Sequence, residues 1–238
     1  MDKQSQDLSL CGAIILPALN EQSTISELIV AIGEVTTAPI WVVDDCSEDA
    51  TAERASRAGA RVIRLPERLG AWGAVQTGLR EATRMDLDFV VTMDADGQHD
   101  PLNIPGLLEP VLRGEAEVVI GCYPERGSTL RRLAWSLMRL TSGLTLNDPT
   151  SGYRVLNKRA LRLLSGPAAS QLEYQDVGVL LMLEQAQFVI EEQPVTMKQR
   201  RDGKSRIFRS WALVAYYMMQ TLLLGTVKRR NRARRKSK

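Results

Sequence analysis

The chain has 238 residues, of which 44% are apolar and 25% charged, enough for one large α/β domain or two small ones and ordinary for a globular protein. The net charge of +3 conceals an asymmetry, because Lys228–Lys238 carries eight Lys or Arg and no acid, which leaves 23 basic against 28 acidic residues in the remainder. A mildly acidic body offers no basic stripe to neutralise phosphates, and this argues against nucleic acid as its partner.

Cys11, Cys46 and Cys122 are odd in number and widely spaced, without a CxxC or zinc pattern, so they read as reduced, mostly buried thiols. The polar start, Met1 to Leu8, does not read as a signal peptide. Cys11 to Leu16 is a short apolar run that Pro17 stops, a first strand. Ser23 or Thr24 caps a helix running to about Gly33, with Ile25, Leu28, Ile29 and Ile32 on one face. Ile40 to Val43 is a second strand and ends in Asp44-Asp45-Cys46-Ser47. A helix over Glu48 to Ala58 ends at Gly59, and Arg61 to Leu65 is a third strand. The helix from Gly70 to Ala82 has Gly70, Gly73, Ala74, Gly78 and Ala82 at close spacing. Each helical Gly costs about 1 kcal/mol relative to Ala, so close packing or a ligand is the reason for them.

The chain is organised around its next segment. Phe89 to Met93 is apolar and β-branched and reads as a buried strand, followed by Asp94-Ala95-Asp96-Gly97-Gln98-His99-Asp100-Pro101. In extended backbone the i, i+2 spacing puts Asp94 and Asp96 on one side, where the strand leaves the sheet. Open α/β sheets bind ligands at that end of their strands. Two carboxylates with the amide oxygen of Gln98 are hard ligands suited to Mg²⁺ or Mn²⁺ shared with substrate phosphates. Taken by itself, the same Asp-x-Asp also fits a solvated loop.

Ile104 to Leu112 is another helix and Glu117 to Cys122 another strand, so the alternation gives a doubly wound α/β sheet with right-handed crossovers. The second half is less regular. Leu130 to Leu146 is helical. Asn147 to Arg154 is loop-like and leads to a short strand and a helix over Lys158 to Leu164. Gln171 to Gln185 is a helix, Phe188 to Ile190 a strand, Pro194 to Gln199 extended, and Arg200 to Arg206 a basic turn. Trp211 to Val227 is a 17-residue apolar segment, marginal against the roughly 20 residues a membrane span needs. Its Trp211, Tyr216 and Tyr217 suit an interfacial helix, and the basic tail adds attraction to anionic lipid. A helix buried in a homo-oligomer, followed by a solvated tail, is the alternative.

Four stretches together resemble family 2 glycosyltransferases of the GT-A fold: Leu16-Pro17-Ala18-Leu19-Asn20-Glu21, Val42-Val43-Asp44-Asp45-Cys46-Ser47, Asp94 to Pro101, and Asp148-Pro149-Thr150-Ser151-Gly152-Tyr153-Arg154. Within that family, Asp-Ala-Asp-Gly-Gln, Ser-Gly-Tyr-Arg and Arg200-x-x-Gly203-x-Ser205 are similar to the dolichyl- and polyprenyl-phosphate sugar synthases. The resemblance implies a GT-A domain over residues 8–207 with a mixed, mainly parallel sheet, an apolar helix over 208–227 and a basic tail over 228–238. It implies that Pro17, Leu19 and Glu21 line the nucleotide pocket and that Val43 and Asp45 contact base and ribose. Asp94, Ala95, Asp96 and Gln98 would serve the diphosphate, with Asp94, Asp96 and Gln98 on Mg²⁺ or Mn²⁺. Arg200 and Arg206 would reach the diphosphate or the acceptor phosphate. Relatives usually have Asn-Leu-Gly-x-Gly where this chain has Arg68-Leu69-Gly70-Ala71-Trp72, so Arg68 and Trp72 are placed to reshape the sugar or base pocket, Trp72 reading equally as core or pocket wall and not as a specific stacker.

The implied activity is inverting hexosyl transfer from a UDP- or GDP-linked donor to a polyprenyl phosphate at the cytoplasmic membrane face, in the making of cell-envelope polysaccharide. The alternative acceptor is a hydroxyl of a lipid-linked glycan or another molecule. A phosphate monoester is already mostly anionic near neutrality and needs no base, whereas a hydroxyl must lose a proton. Asp176 is the candidate base and Glu173 the second; both equally suit a helix N-terminus. His99, the single histidine, is read as a metal ligand, a diphosphate contact or an organiser of its loop. Arg154 is read as an acceptor-phosphate contact or the partner of an acid, and Asp148 as a fixer of the Ser-Gly-Tyr loop.

Overall fold

The computed structural model describes residues 11–123, 125, 146–172 and 177–198. The strands are β1 (Gly12–Ala18), β2 (Ile40–Asp44), β3 (Arg61–Arg64), β4 (Phe89–Thr92), β5 (Val118–Cys122), β6 (Arg154–Asn157) and β7 (Ile190–Pro194). The helices are α1 (Ile25–Gly33), α2 (Thr51–Arg57), α3 (Gly70–Arg84), α4 (Ile104–Leu112), α5 (Lys158–Leu164), α6 (Pro167–Ser170) and α7 (Val177–Gln185). One 3₁₀ turn, Pro101–Asn103, enters α4. The expected helices over Lys158–Leu164 and Ile104–Leu112 fall where the apolar spacing put them.

The seven strands form one sheet in the order β3-β2-β1-β4-β6-β5-β7. β6 runs antiparallel to both neighbours, and every other pairing is parallel. The sheet is therefore mixed and mainly parallel, with a reversed strand interrupting the doubly wound pattern after β4. β1 lies between β2 and β4, so the chain reverses its direction of winding there, and the crevice at that point opens at the carboxyl ends of the strands.

Alternate residues of the central strands point to opposite faces. Ile15, Trp41, Val43, Val90, Val118 and Ile120 join one core, under α3, α5 and α7. Ile14, Leu16, Val42, Val91, Val119 and Val155 join the other, with Ile25, Ile29, Ile104 and Leu107 of α1 and α4. A Cβ on Gly78 would lie 2.6 Å from Ile15 Cγ2, so α3 sits on β1 at a distance that only a glycine permits, which is the reason for part of its small-residue face.

Several expectations need correction. Pro17 does not end β1, which runs through it to Ala18 in register with Val43 and Asp44. The carbonyl of Ile15 accepts from Met93 N on the β4 side and that of Ala18 from Asp45 N on the β2 side. Alternation then turns the Pro17 nitrogen toward β4, whose pairing with β1 has ended at Thr92, so no donor is missed. The second helix begins at Thr51 and not Glu48, because Asp49 takes the Thr51 N–H at 2.9 Å in a local turn. Residues 171–172 are not helical, a short α6 precedes them, and β7 starts at Ile190 while Phe188 packs into the core. Of the thiols only Cys122 is buried; Cys11 is exposed and Cys46 half-buried. Among the described residues no helix is long and apolar enough to cross a membrane. The segment 208–227, the tail, most of the expected helix over 130–146 and the basic turn lie outside the described residues.

Candidate active site

The loops at the carboxyl ends of β1, β2, β3 and β4 are tied into one rim. Asn20 N donates to Ser47 Oγ at 2.9 Å, Glu48 N to Asn20 Oδ1 at 2.8 Å, and Glu21 N to Thr51 Oγ1 at 2.8 Å. Asn20 takes a left-handed φ of 53°, a conformation Asn accepts more readily than most residues. These bonds join the first loop to the second. The Asp45 carboxylate joins the second to the third by accepting Leu69 N at 2.7 Å and Gly70 N at 3.0 Å, two donors at the start of α3. Thr24 stands at the N-cap of α1, yet its hydroxyl does not cap that helix; it reaches Ala95 O at 2.9 Å and so ties the first loop to the acidic one.

The acidic loop turns at Gly97, φ +73°, a region where a side chain would be strained. Asp96 Oδ1 accepts Gln98 N at 3.1 Å, closing a local turn. His99 is buried at 1% exposure, and its Nδ1 accepts the backbone N–H of Asp94 at 3.1 Å. That bond leaves Nδ1 without a proton and places the neutral ring's proton on Nε2. The His99 ring stacks on Tyr153, centroids 4.9 Å apart. His99 thus orders its loop, the third of the readings above.

Residues 195–198 run along the far side of this loop. His99 bridges Met197, and Lys198 N donates to Gln98 O at 2.8 Å. The Asn103 amide donates to Thr196 Oγ1 at 3.1 Å, and Lys198 Nζ lies 3.8 Å from Asp100.

Pro17, Leu19, Glu21, Asp94, Asp96 and Gln98 are all half-exposed on this rim. Asp45 and Ala95 lie just beneath it, at 4% and 2% exposure. Val43 is fully buried in the core with Trp41 and Leu65 and lines no open surface. Trp72 takes the core place that was one of its two readings: it is buried, its indole N–H donates to Ala169 O at 2.9 Å, and it packs under α6. Arg68 pairs with Glu48 at 2.9 Å, on the rim. Asp176, Glu173, Arg200 and Arg206 lie outside the described residues.

The Asp148–Arg154 segment is held from within. Asp148 accepts Thr150 Oγ1 at 3.2 Å, and the buried Arg154 donates to Ser151 O at 2.8 Å and Pro149 O at 3.0 Å. Asp148 therefore fixes the loop as read, and Arg154 does so from beneath. Glu192 on β7 accepts both Asn147 N and Asp148 N at 2.8 Å. Sequence reasoning missed Glu192, Thr24 and Asn103, because each acts across tens of residues of chain and carries no local motif.

Among the described residues no three or more His, Cys, Asp or Glu side chains gather as a metal cage. The Asp94 side chain is 40% exposed and Asp96 half-exposed. Two open carboxylates fit a hard cation that completes its shell with phosphate oxygens and water, and do not fit a closed structural site.

A rim of cross-linked loops at the switch point of a mainly parallel sheet, with paired carboxylates after its central strand, is an architecture of the GT-A type. The model of glycosyl transferase family 2 matches residues 13–167, and the chain belongs to that family. It is similar to an undecaprenyl-phosphate mannosyltransferase of Micrococcus luteus, 30% identical over 213 residues, 81% of this chain and 86% of that one. It is also similar to a polyprenol monophosphomannose synthase of Mycolicibacterium smegmatis, 27% identical over 82% of this chain and 80% of that one. Among solved structures, glucosyl-3-phosphoglycerate synthase from Mycobacterium tuberculosis with Mn²⁺, UDP-glucose and phosphoglyceric acid superposes with a TM-score of 0.69 at 26% identity. The match covers 91% of this chain and 79% of that one. The chain is a glycosyltransferase.

Proposed function

We propose that this glycosyltransferase moves a hexose, with inversion, from a nucleotide-sugar donor to a polyprenyl phosphate at the cytoplasmic face of a membrane. The observation that carries the reading is the acidic loop itself: Asp94 and Asp96 stand half-exposed at the switch point between β1 and β4, on a rim braced by Thr24, Asp45 and His99. The named activities of the Micrococcus and Mycolicibacterium relatives support the lipid-phosphate acceptor.

Pro17, Leu19 and Glu21 flank the nucleotide, and Asp45 offers a carboxylate acceptor to base N–H or ribose hydroxyls while it holds Leu69 and Gly70. Asp94, Asp96 and Gln98 hold Mg²⁺ or Mn²⁺, which when bound neutralises charge growing on the leaving diphosphate. Arg200 and Arg206 add fixed positive charge to the phosphates. The acceptor phosphate oxygen attacks the anomeric carbon as its bond to the diphosphate breaks. With a second pKa of about 6, that phosphate needs no base. The apolar segment 211–227 and the basic tail bring the enzyme to the lipid.

A hydroxyl acceptor is the second reading, favoured by the likeness to a structure holding phosphoglyceric acid. Purified full-length protein incubated with Mg²⁺, a panel of nucleotide sugars and a short polyprenyl phosphate separates the two by product mass. A sugar–phosphate–lipid product, formed equally well by Asp176→Asn, is the expected result. Donor binding without a lipid product would sink the phosphate acceptor in favour of the hydroxyl.

A further inference from the structure

We propose that Tyr153 is a positioning residue for the acidic loop, carrying the rigidity of the sheet to Asp94 and Asp96 through His99 and Asp100. The inference rests on the reading of that loop as the diphosphate and metal site, and extends it to a residue of a different motif.

Tyr153 immediately precedes β6, and two bonds fix its surroundings to the sheet while a third closes its own turn. Thr92 Oγ1 at the end of β4 donates to Gly152 O at 2.9 Å, Gly121 N of β5 donates to Tyr153 O at 2.8 Å, and Tyr153 N donates to Ser151 Oγ at 3.3 Å. The buried Arg154 guanidinium locks the turn behind it.

The Tyr153 side chain then reaches both ends of the acidic loop. Its ring stacks on His99 at 4.9 Å with 26° between planes, and Nδ1 of that same imidazole takes the Asp94 N–H. Its hydroxyl donates to Asp100 O at 3.1 Å. One ring thus spans the seven residues from Asp94 to Asp100. Tyr153 is fully buried, and burial, with the Asp100 charge beside it, pushes its phenol well above the usual range. A ring serving only as core filler would have no call for a hydroxyl aimed at a loop carbonyl, because a buried hydroxyl costs stability unless bonded. A loop of half-exposed carboxylates that turns at a glycine has little apolar packing of its own, and sites of this kind depend on a supporting layer.

The test is amide hydrogen exchange on the full-length protein, without ligand, for wild type, Tyr153→Phe and Tyr153→Leu. Loss of the ring should speed exchange in residues 93–101 by about tenfold while peptides from β1 and β2 keep wild-type rates. Tyr153→Phe, which keeps the stack and the core volume, should speed the same peptide by about twofold or more, and it decides the matter should the leucine variant fail to fold. Unchanged exchange in 93–101, or an equal rise across the whole sheet, overturns the proposal. The second readout is Mn²⁺ affinity with UDP or GDP, from the spin-resonance signal of the free ion, with Asp96→Ala as reference. Tyr153→Leu should bind Mn²⁺ about tenfold more weakly, in the range typical of supporting residues around metal ligands. Weak Mn²⁺ binding in Asp96→Ala with wild-type binding in both Tyr153 variants also overturns it. Wild-type Mn²⁺ binding in Asp96→Ala instead overturns the metal reading, and hydrogen exchange then decides the role of Tyr153 alone.

Discussion

The carboxylate of Asp45 accepts the backbone N–H of Leu69 at 2.7 Å, and so the residue that the family resemblance assigns to the nucleotide also holds the loop before α3. A carboxylate has about four lone-pair sites, and Leu69 and Gly70 use two of them, which leaves capacity for a ligand donor. Asp45→Asn keeps the shape but turns one acceptor into a donor facing a backbone N–H. The expected outcome is a loss of about 1–3 kcal/mol in stability together with a rise in donor KM larger than the fall in kcat. Denaturant unfolding and steady-state kinetics measure the two. A wild-type donor KM in a destabilised Asp45→Asn would confine Asp45 to the loop.

Asp96 is half-exposed and accepts Gln98 N in a local turn, outside both cores. Asp96→Ala should therefore lose metal-dependent donor binding and keep the fold, with Tm within about 2 °C of wild type, as for half-exposed sites away from the core. Calorimetric titration of the nucleotide with and without chelator checks this. Unchanged nucleotide affinity in Mg²⁺ would remove Asp96 from the metal site.

Glu192 gathers Asn147 N, Asn147 Nδ2 and Asp148 N on one carboxylate, the last two at 3.0 and 2.8 Å. Hydrogen bonds to a charged group are the stronger kind, and losing these in Glu192→Ala should cost about 1–3 kcal/mol and lower Tm by a few degrees. Exchange of the Asn147 and Asp148 amides should rise selectively. A wild-type Tm would mean that the Asp148–Arg154 segment is held sufficiently by Asp148 and Arg154 themselves.

These residues show where the sequence is legible. Local patterns speak for themselves: the apolar runs of β2 and β4, the periodicity of α1 and α4, and a carboxylate pair at a strand end are each written within a dozen residues, and the structure has them there. Register and reversal are not local. Pro17 reads as a stop until the length of the neighbouring β4 is known, and nothing within Arg154–Asn157 marks it as the antiparallel member of a parallel sheet. Trp72 reads as either pocket wall or core, and only the fold decides, by bringing Ala169, 97 residues away, to its indole N–H. The bracing side chains were invisible for the same reason, because Thr24, Asn103 and Glu192 are ordinary polar residues until the fold brings Ala95, Thr196 and Asn147 to them.

Away from the active site, Glu81 of α3 gives the clearest pH dependence. Hydrogen bonds from Arg84 and Arg61 hold its carboxyl at about 2, against an ordinary value of 4.5. Arg61 lies at the start of β3, with its guanidinium 5.2 Å from the Trp41 ring centroid, so the pair joins α3 to the sheet edge. A carboxyl whose folded pKa is lowered stabilises the fold fully above its unfolded value and progressively less as pH falls through the folded one. The contribution of Glu81 is therefore whole above 4.5 and fades between 4.5 and about 2. Asp86, lowered by its hydrogen bond from Lys158, works in the same direction. Thermal unfolding of wild type and Glu81→Gln across this range should show a Tm gap that is widest near neutrality and narrows steadily below pH 4.5. A gap that stays constant down to pH 2 would mean that the glutamine variant loses packing of α3 and not the charge pairing with Arg61 and Arg84.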